Sequence, residues 1–185
     1  MELSVLDSIV LAIAFSLNLF ITSSAVAKGS NIRYTKGILQ SIILAIFQCL
    51  FLFTGAWLSS LFNMEEITYD RTITSGVMII MAIKIFVNII KSHRTKDLIT
   101  ITNLQSMLFL SIATAMNTFI IGIALGFSYD TTQFSLTMIL TLILGIVFSI
   151  IGIFFGRQKM KIPTRLILSI EAVLFIELAI KMYFQ

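Results

Sequence analysis

One cysteine, one histidine, one proline and one tryptophan are spread over 185 residues, and only 12% of the chain is charged. Each scarcity excludes something. With Cys49 alone, an intrachain disulfide is ruled out and the redox compartment leaves no trace. The lone His93 stands in the basic segment "KSHRTKD", where a histidine is ordinarily solvated rather than liganding. The serines and threonines of the apolar runs lack a histidine base, and no phosphate loop, nucleophile motif or histidine–cysteine cluster is present, so an enzyme is not expected. Pro163 opens the last apolar run and leaves every helix interior unbroken, which argues against unwound half-helices. The shortage of charge excludes most, because a water-soluble domain carries roughly 25% charged residues.

What fills the chain instead is apolar: 58% hydrophobic residues and a mean hydropathy of +1.02. Six runs stand out, at 6–27, 37–62, 72–90, 104–127, 134–155 and 164–183. An α-helix needs about 20 residues to cross the ~30 Å hydrocarbon core, and these runs are near or above that length. They are continuously apolar and lack the two-residue alternation of a barrel wall. The first begins with the acidic "MELSVLD" and ends without a small-residue cleavage pattern, so it reads as a span and not as a signal peptide. The expectation is an all-α integral membrane protein of six transmembrane helices, with the lipid bilayer as its main partner.

A net charge of +4 could point to nucleic acid, but the placement of the charges does not. They lie between the runs and alternate in sign. Lys28, Arg33 and Lys36 follow the first run; Glu65, Glu66 and Asp70 oppose Arg71 after the second; Lys91, Arg94 and Lys96 oppose Asp97 after the third. Asp130 stands alone after the fourth, and Arg157, Lys159, Lys161 and Arg165 gather after the fifth. Loops one, three and five are basic, so the positive-inside rule puts them in the cytoplasm and both termini outside.

The two halves match at a nearly fixed offset. Asn18 and Asn117 stand 99 positions apart, and Ile13-Ala14 precedes one as Ile112-Ala113 precedes the other. Gly55 and Gly152 are 97 apart, each followed by a small residue four places on, Ser59 and Gly156. "MAIKIF" at 81–86 answers "LAIKMY" at 178–183, which sets Lys84 against Lys181. Three anchors in three spans predict two repeats, 1–91 and 104–185, joined by a basic cytoplasmic linker at 92–103. An odd number of spans per half inverts the second copy, and inverted repeats place transport sites near the midplane where they meet.

Polar groups inside the runs are then candidate path residues. A buried asparagine can serve as interhelical glue worth ~0.6 to 2 kcal/mol, but Asn18 and Asn117 form a symmetric pair near the predicted midplane. Glu171 and Glu177 lie one third and two thirds along the last run, where a carboxylate costs about 2.5 to 3.5 kcal/mol on insertion scales. Glu177 has Lys181 at i+4 as a local partner; Glu171 has none, which singles it out. Lys84 lies within ~10 Å of the cytoplasmic end of the third run and can snorkel part of the way. "GIALG" and "GIFFG" supply Gly122, Gly126, Gly152 and Gly156, small residues that let helices approach closely.

With these residues assembled, the chain resembles the MntP-type manganese efflux pumps, small six-span inner-membrane proteins of the lysine-exporter superfamily built as two inverted three-helix repeats. "SLNLFITS" at 16–23 with "AKG" at 27–29 is similar to the family's first-span pattern S-M-D-A-F-A-V-S and G-K-G. Phe47, Gln48, Gly55 and the displaced Trp57 resemble its second span. "ATAMNTFIIG" at 113–122 resembles A-T-S-I-D-A-L-A-V-G, and Gly152, Gly156 and Arg157 match its G-x-x-x-G-R. The departures are chemical. The family's two midplane aspartates are Asn18 and Asn117 here, and a glycine-rich opening of the last span is replaced by the segment holding Glu171 and Glu177.

The resemblance implies export of a divalent cation such as Mn²⁺ across the plasma (inner) membrane, with the ion as cargo and no tightly bound cofactor. Mn²⁺ prefers oxygen donors, and carboxylates bring compensating charge that amides lack. The expectation is therefore that the acidic function has moved to the last span: Glu171, joined by Glu177, faces Asn18 and Asn117 across one cavity. The expected path is Asn18, Asn117, Glu171, Glu177, Lys84 and Gln48, with Asn18, Asn117 and Glu171 touching the metal. Two alternatives stay open, a scaffold that keeps the fold without transporting and a carrier for a monovalent ion or small solute. Whether the protein forms a homodimer is left open as well.

Overall fold

A computed structural model describes residues 5–29, 34–61, 70–91, 104–128, 131–158 and 163–184. It consists of six α-helices in chain order: α1 (Val5–Gly29), α2 (Tyr34–Leu61), α3 (Asp70–Lys91), α4 (Leu104–Ser128), α5 (Thr131–Arg157) and α6 (Thr164–Phe184). Their bounds fall within about three residues of the six expected runs, because continuous apolarity over such lengths satisfies the backbone only as helix. Pro163 sets the start of α6, its carbonyl accepting from the amides of Leu166 at 2.9 Å and Ile167 at 3.2 Å. The basic linker at 92–103 with His93, and the pair Glu65 and Glu66, lie outside the described residues.

Helices α1 to α5 are long and apolar enough to cross a membrane. The sixth differs from the expectation. At 21 residues α6 has the length, but Arg165, Glu171, Glu177 and Lys181 take it out of the purely apolar class.

Apolar side chains such as Leu50, Phe53, Ile80, Ile83 and Phe86 are exposed, while Ser16, Ser23, Gln40, Ser149 and Thr137 are buried. That distribution suits a bundle with hydrocarbon outside, where hydroxyls find partners only within. Ser16 and Ser111 bond back to the carbonyls of Ala12 at 2.6 Å and Met107 at 2.8 Å, and Ser23 meets Ser149 across α1 and α5.

Packing follows the small residues. Helix α1 lies against α5 and α6, α2 against α4 and α5, and α3 against α6 and α4. A Cβ added to Gly122 would stand 2.5 Å from the Leu52 carbonyl oxygen, and one added to Gly152 2.5 Å from that of Phe20, so neither contact admits a side chain. Gly126 and Gly156 continue the same seams against Ala56 and Ser24. The main core is a cluster of side chains from α1, α2, α3, α4 and α6, including Leu11, Leu52, Met78, Ile121, Phe175 and Leu178.

Candidate functional site

The junction of α1, α3, α4 and α6 leaves a recess of about 20 Å³, room for roughly one water-sized guest. Helical spacing brings its lining together. Met81, Lys84, Ile85 and Asn88 form one stripe of α3 at i, i+3, i+4 and i+7; Asn117, Thr118 and Ile121 come from α4; Phe15 and Asn18 from α1; Glu171 and Phe175 from α6. Four of the expected path residues, Asn18, Lys84, Asn117 and Glu171, therefore share one cavity.

Their bonding is uneven. Lys84 Nζ donates to Asn117 Oδ1 at 2.5 Å, a direct bond between α3 and α4. Glu171 is only 4% exposed, and its Oε2 has no hydrogen-bond partner. No ion pair joins Glu171 to Lys84. A buried carboxyl oxygen left without a donor is costly, so this oxygen is the least satisfied polar atom lining the recess. Among the described residues, no three His, Cys, Asp or Glu side chains cluster, so a cation here would meet amide oxygens and one carboxylate.

Glu177 lies outside the recess, on the exposed side of α6. Six residues at about 100° each turn it some 120° away from Glu171, so the two cannot face one cavity. Its expected pairing with Lys181 is replaced as well. Lys181 bonds Asp7 Oδ1 at 2.5 Å, joining the last turn of α6 to the first turn of α1. Asp7 is 1% exposed, and its role was not read from the sequence; the available signal was a carboxylate at the start of one span and a lysine at the end of another.

Gln48 also lies outside the recess. It is buried on α2, donating from Nε2 to the Phe15 carbonyl at 3.3 Å, while its Oε1 has no partner. It braces the α1 segment that carries Phe15 and Asn18. Asn88 is a lining residue that sequence reasoning missed, although its place four residues after Lys84 on an inward stripe was readable.

Between α1 and α6 the contacts form layers, residue numbers rising along one helix as they fall along the other. The Asp7–Lys181 pair comes first, then Leu11 and Leu178, members of one buried cluster, then the Phe15 and Phe175 rings, 6.0 Å apart at 63°, and then Asn18 and Glu171, which both line the recess. The opposite rim carries Lys84 and Asn88, both exposed. One side of the recess is dry and tightly packed; the other is polar.

Apolar helices with a small polar recess at their junction define a multi-pass α-helical membrane protein with a transporter's kind of interior. Residues 31–183 match the family model described as "Putative manganese efflux pump", and the chain belongs to that family, Mntp. This is a transporter family, not an enzyme family. No curated relative and no solved structure matches the chain.

Proposed function

We propose that this protein exports a divalent cation, with Mn²⁺ as cargo, through the recess formed by Asn18, Asn117 and Glu171. The observation that carries the reading is the buried Glu171, whose unpartnered oxygen lies in the same cavity as the two asparagines. Amide oxygens and a carboxylate are the hard donors Mn²⁺ accepts, and the carboxylate supplies the charge that two amides lack. The family match supports efflux as the direction.

In this reading all six helices span the plasma membrane, with both termini outside, as the basic loops and the positive-inside rule favour. The halves 1–91 and 104–185 are inverted repeats. Support comes from paired contacts: Gly122 meets Leu52 where Ser23 meets Ser149, and Gly55 meets Phe119 where Gly152 meets Phe20, positions 97 to 99 apart in each case. With that orientation, the layers from Asp7–Lys181 to Phe15–Phe175 seal the recess from outside. The rim at Lys84 and Asn88 lies toward the cytoplasm, so the arrangement corresponds to the loading state. Export then requires α1 and α6 to part at those layers.

A second reading, a carrier of a monovalent ion, is favoured by one observation: the ammonium of Lys84 already stands in the recess. A metal-sensitivity assay in cells lacking their own manganese exporter separates the readings. Export of Mn²⁺ predicts protection by the wild type that Glu171→Gln abolishes. Protection only by the double change Asn18→Asp with Asn117→Asp would mark a scaffold that lost transport, and protection by neither would sink the export of Mn²⁺.

A further inference from the structure

Lys84 has no obvious place in a cation site. A flexible side chain on the exposed side of α3 could have turned toward the cytoplasmic interface, as lysines near span ends do. Instead its Nζ lies 2.5 Å from Asn117 Oδ1, at the wall of the recess that holds Asn18 and Glu171. The oxygen it occupies is the one a cargo cation would use on α4.

We propose that Lys84 is a tethered cation that occupies the Asn117 oxygen while the site is empty and must leave it for cargo to bind. The proposal rests on the recess being the cation site. Three observations support it. First, the ammonium bonds the amide and not the carboxylate, for no ion pair links Lys84 to Glu171, and Glu171 Oε2 stays unpartnered. One carboxyl oxygen thus remains open to cargo while the amide ligand is covered. Second, Lys84 is exposed and stands at the rim with Asn88, so its four-carbon stem has room to swing away without unpacking a helix. Third, the cavity of about 20 Å³ has space for one small guest, so an ammonium and a second cation on the same oxygen would lie within a few ångströms of each other. Repulsion scales with the product of charges, and a divalent ion beside the ammonium suffers twice what a monovalent one does. Lys84 is therefore a specificity-determining residue: it weakens binding most for divalent cargo and keeps the amide covered between loads.

The test is cation binding by the purified full chain in nanodiscs, using Mn²⁺ itself followed by its paramagnetic resonance signal and Tl⁺ as the monovalent probe. Wild type is compared with Lys84→Met and Lys84→Gln, each checked for monodispersity and unchanged melting temperature; the glutamine keeps a donor for Asn117 if the methionine fails to fold. The expected result is Mn²⁺ binding about tenfold or more tighter in the neutral variants, with a smaller gain for Tl⁺. Adding Asn117→Ala to Lys84→Met should erase most of the gain, since the freed ligand is gone. Unchanged or weaker Mn²⁺ binding in both folded variants, or equal gains for both ions, would overturn the proposal. The export reading fails separately: a wild type that gives no protection against manganese sinks it, whether or not the neutral variants bind the ion more tightly.

Discussion

Lys181 and Asp7, 174 positions apart, meet at 2.5 Å and tie the last turn of α6 to the first turn of α1. The pair is asymmetric, with the lysine side chain 34% exposed and the aspartate almost fully buried. Removing the buried group is the milder change, because Lys181 can still be hydrated. Asp7→Asn is expected to lower stability by about 1 kcal/mol, and Lys181→Met, which removes the cation beside a buried carboxylate, by about 2 kcal/mol. Thermal unfolding of the two variants in one detergent gives the order directly.

Glu171 and Glu177 are the same residue on the same helix, yet only Glu171 lines the recess. Glu171→Gln should abolish manganese protection, while Glu177→Gln should leave it within about twofold of wild type. Dose–response growth of cells expressing equal amounts of each variant checks the contrast, and equal losses would mean that the cargo path does not run through this recess.

Gly122 and Gly152 sit where helix backbones touch, and even a methyl group would meet a carbonyl at 2.5 Å. Gly122→Ala and Gly152→Ala should each destabilise the bundle by about 1 to 3 kcal/mol, the range of overpacking. Gly76, with nothing within 4 Å of an added Cβ, is the control. Gly76→Ala should be neutral or stabilising by about 0.5 kcal/mol, because alanine restricts the unfolded chain. Melting temperatures of the three variants decide it.

Gln48 braces the Phe15 carbonyl from behind with one half of its amide, while the other half is buried without a partner. Gln48→Met removes a bond of 3.3 Å together with an unsatisfied oxygen, so stability should change by less than about 1 kcal/mol. Export should survive, measured as manganese efflux from loaded cells. A stable variant that no longer exports would place Gln48 in the path itself.

Much of this molecule was written locally. Six helices follow from six long apolar runs, and the resemblance read from short motifs such as "ATAMNTFIIG" agrees with the family match over residues 31–183. Asn18, Asn117 and Glu171 could be named in advance because a polar group in a hydrophobic run costs energy and so stands out.

What the sequence determined alone was the class, the helices and the residues out of place, since hydropathy and length act within each segment. The tertiary structure decided the pairings: that Glu171 turns inward and Glu177 outward, that Lys181 reaches Asp7 rather than Glu177, and that Lys84 bonds Asn117 instead of reaching toward the interface. These depend on how each helix is rotated and slid against its neighbours. Helices apolar on every side carry no hydrophobic stripe to announce that rotation, because lipid and protein interior are equally apolar, and only the contacts between helices settle it.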